Sequence, residues 1–431
     1  MRREGKAMRL AEIFERVVGP NAPVRFRAYD GSVAGDPESD VTLIVRTPVA
    51  INYLAQSPGA LGLTRAYVSG HIDLEGDMYT ALRRMSDVAF EEGRRMSPLQ
   101  VAGLVRDVGW VKFVNRVPPP PQEMRRSTLL GRGVRRHSKG RDAEAIHHHY
   151  DVSNAFYELV LGPSMTYTCA VYPAEDATLE QAQFHKYELV ARKLDLRPGM
   201  RLLDVGCGWG GMVMHAAREH GVKALGVTLS KEQAEWAQKR IAQEGLGDLA
   251  EVRHMDYRDV PDGVYDRISS IGLTEHIGKR NVPAYFASLY AKLRPGGRLL
   301  NHSITRPRND LPPMNAGGVI NRYVFPDGEL EGPGWLQSAM NDAGFEIRHQ
   351  ENLREHYART LRHWGANLDR NWDAAVQEVG EGTARVWRLY MAGCVLGFER
   401  NVVQLHQILG VKLDGTDARM PLRPSFEPEA P

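Results

Sequence analysis

Cysteine is scarce in this chain. Its 431 residues hold three, Cys169, Cys207 and Cys394. They are scattered and form no CxxC or Cys/His zinc spacing, which excludes a disulfide framework and a thiolate metal site and suits a reducing cytoplasm. Long apolar runs are missing too. Nothing approaches the roughly 18 consecutive apolar residues of a membrane span, and the charged start, Met1-Arg-Arg-Glu-Gly-Lys-Ala-Met-Arg, leads into no uninterrupted apolar segment. Membrane contact is therefore expected to be peripheral, at the inner face. Charge of one sign is also lacking: 55 Lys and Arg stand against 53 Asp and Glu, so bulk charge selects no partner. No nucleic-acid motif accompanies the local basic clusters, and nucleic acid is not expected as a partner.

What is present is an ordinary globular composition, 42% apolar and 25% charged, in a chain long enough for two domains. The stretch that organises it is Arg201-Leu-Leu-Asp-Val-Gly-Cys-Gly-Trp-Gly-Gly211. Leu202, Leu203 and Val205 read as a buried parallel strand ending near Asp204. Gly206, Gly208 and Gly210 then allow a sharp turn and close approach of the backbone to a ligand. Met212 to His220 reads as the following helix, with Gly221 placed to end it. A strand, glycine turn and helix of this kind form a nucleotide-type pocket at the carboxyl end of a parallel sheet, in an α/β, Rossmann-like doubly wound fold.

The second strand, Lys223 to Ser230, ends without the acidic residue that would hold a nicotinamide ribose, which counts against NAD. Thr228, Leu229, Ser230 and Gln233 stand there instead. With Leu-Asp-Val-Gly-Cys-Gly-Trp-Gly, this resembles the S-adenosylmethionine-dependent methyltransferases of the cyclopropane-fatty-acid synthase and mycolic-acid cyclopropane synthase family. The resemblance is close over residues 146 to 407 and looser before them. It implies a class I methyltransferase fold with S-adenosylmethionine as methyl donor.

In chain order, residues 1–117 mix strand-like runs (Val41 to Val45) with helical ones (Met78 to Phe90), an α+β domain without a catalytic constellation. Leu61 to Leu74 resembles the small N-terminal domain of full-length cyclopropane-fatty-acid synthases, which implies lipid presentation or homodimer formation. Residues 118–145 read as a linker, opened by the stiff Pro118-Pro-Pro-Pro121. Between Arg125 and Arg141 lie seven basic residues and no acid, either a solvated run or a patch for anionic lipid headgroups. Residues 146–431 form the expected catalytic domain. His147, His148 and His149 point in different directions on a helix and are not read as a metal site. In the resemblance, the His-Tyr-Asp segment lids the cofactor, which assigns Tyr150. Asp256 and Tyr257 are placed to hydrogen-bond and stack on its adenine. Pro307 to Glu331 reads as a long connection, and Trp335 to Ala343 as a helix.

The chemistry implied is methyl transfer to the cis double bond of an unsaturated phospholipid chain through a carbocation. Tyr167, Tyr357 and Trp364 offer aromatic faces that stabilise a cation without reacting. In the family a bound bicarbonate acts as base, and the matching positions here are Cys169, Glu275, His302, Ile304 and Tyr357. Cys394 matches a cysteine proposed as catalytic in the family, although without a basic neighbour it reads as packing. Two positions depart from the pattern: Thr274 stands where phenylalanine is common, and Asn301 where an apolar residue is usual. They point toward a 10-methylene product, which a partner reductase would convert to a 10-methyl chain of the tuberculostearic type, rather than toward a cyclopropane. A small-molecule methyltransferase and a non-catalytic S-adenosylmethionine-binding protein are the readings from other classes.

Overall fold

The computed structural model describes residues 8–91, 116–124, 152–312, 318–326 and 328–427. The basic run 125–141, the histidine triplet and Tyr150 fall outside them. The chain divides into two compact units. The first takes residues 1–125 together with 317–324 and 372–396, so two segments expected in the catalytic stretch group with the N-terminal one.

In this first unit the sheet order is β2-β1-β3-β4. Strand β1 (Arg25–Ala28) pairs antiparallel with β2 (Val33–Gly35) and parallel with β3 (Thr42–Val45), and β4 (Ile72–Glu75) closes it antiparallel to β3. Helices α1 (Leu10–Val18), α2 (Val49–Gln56), α3 (Ala60–Val68) and α4 (Met78–Glu91) complete the expected α+β unit. Phe14 of α1 stacks on Phe26 of β1 at 4.3 Å between ring centres. A buried carboxylate gathers the distant segments. Glu123 accepts two hydrogen bonds from Arg65 of α3 at 2.6 Å, one from Arg322 at 2.8 Å and one from the Tyr323 hydroxyl at 3.0 Å.

The second unit carries a seven-stranded sheet, in the order β10-β11-β9-β8-β5-β6-β7. Strands β5 (Arg201–Val205), β6 (Lys223–Thr228), β7 (Ala250–His254), β8 (Tyr265–Ile271) and β9 (Leu293–Thr305) run parallel. Strand β11 (Gln404–Val411) lies antiparallel between β9 and β10 (Glu346–Asn352). Leu202, Leu203 and Val205 are wholly buried, as expected for a strand covered on both faces, and each stabilises the fold by about 1.5–3 kcal/mol.

Helices α5 (Asn154–Leu161), α6 (Leu179–Leu194), α7 (Gly211–His220), α8 (Lys231–Gln243), α9 (Thr274–Ile277) and α10 (Val282–Lys292) alternate with these strands. Helix α6 opens on a capping box of Thr178 and Gln181, and α7 ends at Gly221 in the left-handed conformation, φ +61°. The stretch 307–331, read from sequence as a connection with few helical signals, contains a short helix α11 (Val319–Tyr323), entered through Gly318. Helices α12 (Pro333–Asp342) and α13 (Arg354–Arg370) follow. Chain order reverses at β5, which lies between β8 and β6, so the sheet opens a crevice at its carboxyl edge.

Replacing Glu123 by glutamine removes the carboxylate charge that Arg65 and Arg322 share. The expected loss is about 3 kcal/mol, the usual cost of breaking a buried pair from one side, read from the shift of the unfolding midpoint in urea. Its hydrogen bonds to Arg65, working against desolvation, hold the carboxyl of Glu123 below its ordinary range. This stabilisation is present above the unfolded-state pKa and is lost as pH falls through the lower folded-state value.

Candidate active site

Two cavities that share Gly206, Gly208, Gln233 and Gly272 open at this carboxyl edge. Counted out to their mouths they enclose about 670 and 510 Å³. The turn between β5 and α7 is the floor of both. Gly206, Gly208 and Gly210 sit at φ +74°, +54° and +79°, where a side chain is strained. The N–H groups of Gly206 and Cys207 both donate to the carbonyl of Val227 on β6, at 2.9 and 3.1 Å, which pins the turn to the neighbouring strand. A Cβ on Gly208 would meet nothing within 4 Å, so that side is open to a ligand. On Gly210 it would strike Val252 and Ala237, so Gly210 serves packing rather than the cavity wall.

The first cavity is walled by Thr228 at the end of β6 with Leu229 and Gln233 beyond it, by Met255, Tyr257 and Arg258 after β7, and by Leu273, His276 and Ile277 after β8. The Thr228 hydroxyl donates to Gln233 Oε1 at 2.8 Å, fixing both against each other. Two sequence assignments take other parts. Ser230 is the N-cap of α8, its hydroxyl accepting from the Gln233 N–H at 3.2 Å. Asp256 forms a fork with Arg258, at 2.7 Å to Nε and 2.6 Å to Nη2, so it is Arg258 that reaches the wall. Tyr257 lines the wall as expected and meets Tyr285 edge-on.

The second cavity runs past Asp204 and along Met165 to Thr168. Asp204 is buried and accepts from the Ser269 hydroxyl at 2.6 Å, and burial pushes its carboxyl up to about 6. Its wall holds a residue missed in the sequence, Lys186 of α6. The ammonium is wholly buried, donates to Thr168 Oγ1 at 3.1 Å and lies 3.6 Å from the centre of the Tyr187 ring. Burial brings its pKa down to about 7, against the opposing pull of Asp204 and Cys169. From Trp209 and Tyr167 in this wall, aromatic contacts continue inward. Trp209 meets Tyr157 at 4.7 Å, Tyr157 meets Tyr167 at 5.8 Å, Tyr167 meets Trp364 at 5.3 Å, Trp364 meets Tyr357 at 6.1 Å and Tyr357 meets Phe398 at 4.6 Å.

The residues matched to an anion site lie on segments next to these walls. Glu275 of α9 accepts from the Ile304 N–H of β9 at 2.6 Å through Oε1, while its buried Oε2 has no partner among the described residues. Burial lifts this carboxyl to about 7. His302 is 1% exposed, and its Nε2 is likewise without a partner. Its carbonyl accepts from the N–H of Gly272, a residue of both cavities. Cys169 Sγ and the Tyr357 N–H converge on the Leu353 carbonyl, at 3.8 and 3.2 Å. Cys394 belongs to the first unit, and burial pushes its thiol up to about 12, which opposes a nucleophilic thiolate. Thr274 and Asn301 meet each other: the threonine hydroxyl donates to Asn301 Oδ1 at 2.6 Å, and Asn301 Nδ2 donates to Ser303 at 3.1 Å. Among the described residues no helix is long and apolar enough to cross a membrane.

The family model described as mycolic acid cyclopropane synthetase matches residues 137–408. A Mycobacterium tuberculosis protein named "probable fatty acid methyltransferase" is 54% identical over 97% of this chain and 98% of its own length. The cyclopropane-fatty-acyl-phospholipid synthase of Escherichia coli is 37% identical over 61% of this chain and 66% of its own. Of solved structures, the cyclopropane synthase MmaA2 of M. tuberculosis superposes with a TM-score of 0.59 at 33% identity, over 64% of this chain and 99% of that one. The mycolic acid cyclopropane synthase CmaA1, solved with SAH and CTAB, gives 0.59 at 33%, over 62% and 97%. These matches establish a class I S-adenosylmethionine-dependent methyltransferase fold and the methyl donor that goes with it.

The open side of Gly208 fits such a donor, since a Cβ there would take up ligand space and nothing else. Gly208→Val is accordingly expected to abolish S-adenosylmethionine binding in calorimetry while the far-ultraviolet circular dichroism stays that of the folded protein. Unchanged affinity would remove the glycine turn from the cofactor site.

Proposed function

The chain belongs to the mycolic acid cyclopropane synthetase family, and on that premise we propose that it methylates the cis double bond of unsaturated phospholipid chains, with bicarbonate as base. S-adenosylmethionine, when bound, supplies an electrophilic methyl group on a positively charged sulfur. The observation that carries the reading is the pair of buried polar atoms without partners, Glu275 Oε2 and His302 Nε2, on segments that lead into the cavity walls. Buried polar atoms are usually satisfied, and these two, of ten left open among the described residues, stand at positions matched to the family's anion site, which supports a polar guest there. A carboxylate oxygen that accepts and an imidazole N–H that donates suit the hydroxyl and the anionic oxygens of bicarbonate.

The remaining residues suit a reaction that passes through a carbocation on the acyl chain. The aromatic series from Trp209 to Phe398 supplies faces that attract a cation and do not trap it. The burial of Tyr157, Trp364, Tyr357 and Phe398 limits the water that would. Tyr357 and Cys169 both donate to the Leu353 carbonyl. The acceptor would be drawn from an anionic membrane surface, to which the seven basic residues of 125–141 supply charge.

For the product we retain the 10-methylene chain, the substrate of a partner reductase. In support, the relatives that span nearly the whole chain carry the name fatty acid methyltransferase. The cyclopropane alternative draws on the shorter overlap with the E. coli synthase and on the two solved neighbours.

Proton NMR of lipid made in a host rich in oleoyl chains decides between them: vinylidene signals are expected, and upfield ring protons in their place would establish a cyclopropane synthase. Absence of any modified lipid would overturn the acyl-chain reading. Glu275→Gln is expected to keep cofactor affinity and lower turnover by about 10²-fold, the scale of positioned proton transfer. With a carboxyl near 7, Glu275 is a full acceptor only above that pH, so wild-type turnover should rise through about pH 7 and the variant should lose that limb. The same raised pKa makes the fold less stable as pH climbs from the ordinary carboxyl range toward 7, because the unfolded chain ionises there first.

A further inference from the structure

Behind His302 lies a polar chain that no part of the reading above uses. Gln407 of β11 sits opposite His302 in the antiparallel register of β9 and β11. Its Nε2 is 3.2 Å from His302 Nδ1, and its Oε1 is 2.6 Å from the ammonium of Lys193 on α6. Lys193 also donates to Glu351 of β10. The side chains of Lys193 and Gln407 are wholly buried, so water does not substitute for these partners.

We propose that Lys193 and Gln407 are positioning residues that hold His302 as a neutral imidazole with its one ring proton on Nε2. Donor and acceptor counts fix the arrangement. An ammonium has three protons and no acceptor, so the atom of Gln407 that faces Lys193 must be the oxygen. The amide NH2 is then turned to Nδ1 and can only donate, so Nδ1 accepts through its lone pair. The proton is left on Nε2, the atom without a partner. A protonated imidazole would set an N–H against an NH2, in a buried place where the charges of Lys186 and Lys193 also oppose it. Glu351 balances Lys193, which lets a buried ammonium act as the orienting group.

The consequence for chemistry is definite. With Nδ1 capped by a donor, His302 cannot pass a proton from one nitrogen to the other, and Nε2 cannot take one from the acyl cation. His302 offers a fixed hydrogen bond and is not the base. This consequence rests on the proposed function, whereas the tautomer itself does not, and the two separate in experiment.

The test is nitrogen-15 NMR of protein labelled in histidine, with the His302 signals assigned by their loss in His302→Ala. A bare Nδ1 and a protonated Nε2 are expected; a proton on Nδ1, or on both nitrogens, would overturn the proposal. Gln407→Glu, nearly isosteric, places a carboxylate against Nδ1 and should draw the proton there. Turnover is then expected to fall about ten- to a hundredfold, the scale seen when the orienting partner of a ligating histidine is removed, with S-adenosylmethionine affinity unchanged. Should that variant fail to bind cofactor or fold, Lys193→Met frees the amide to flip and is read by the same two measurements. A moved proton with wild-type turnover would overturn the positioning role. If His302→Ala itself turns over normally, the proposed function of His302 fails while the tautomer result stands.

Discussion

Two backbone N–H groups on one carbonyl hold the site together. Gly206 and Cys207 both donate to Val227, so the chain leaving β5 must bend at once toward β6, and only residues free to take positive φ can make that bend. The placing of the cavity walls follows from it. The bend sets the start of α7 and exposes the backbone of Gly208, and it brings the exits of β6, β7 and β8 to the same crevice. A side chain on Gly206 would press on Leu273 at 3.0 Å, so the turn also sets how near the β8 exit, with Glu275 two residues on, can come to the cofactor floor.

Charge is the second organising constraint, and α6 carries it. Lys186 and Lys193 stand seven residues apart on its buried face, among Ala182, Val190 and Leu194. A lone ammonium in a dry interior costs several kcal/mol, and each here has a different compensation. Lys186 has a hydroxyl, an aromatic face and a nearby carboxyl, and remains titratable near neutrality. Lys193 has a full carboxylate and an amide. One faces the cavity that holds Asp204 and the other backs His302, so a single helix tunes the polarity of both halves of the site.

Much of this was legible in the residues themselves. The strand, turn and helix from Arg201 to Gly221 announce themselves because glycine and apolar periodicity are local signals. The same is true of the doubly wound sheet and of the gathering of Thr228, Leu229 and Gln233. Other contacts are not legible in this way. Ser230 and Asp256 stand where ligand contacts are expected, yet caps and ion pairs use the same residue types, and only the fold shows that the Gln233 N–H and Arg258 take them. Lys186 and Lys193 lie on a stretch that carries no site assignment in sequence. Their signal was present but faint, since both fall on the apolar stripe of α6. The gathering of 317–324 and 372–396 with the first unit depends on Glu123 finding Arg322 about two hundred residues away, which no local pattern encodes.

The pair Thr274 and Asn301 shows how a change of residue type can be misread when each position is taken alone. Singly, each brings a polar atom to a place where the family is apolar. Together they form a hydrogen bond of 2.6 Å, and the remaining amide protons turn to Ser303. A satisfied buried pair contributes little field to its surroundings, because the dipoles close on each other. What it changes is shape: threonine is far smaller than phenylalanine, and the hydrogen bond fixes its rotamer. The space beside Glu275 is then set by a small, rigid pair. Under the proposed function, any influence of these two positions on the product therefore comes through shape and orientation, not through added polarity.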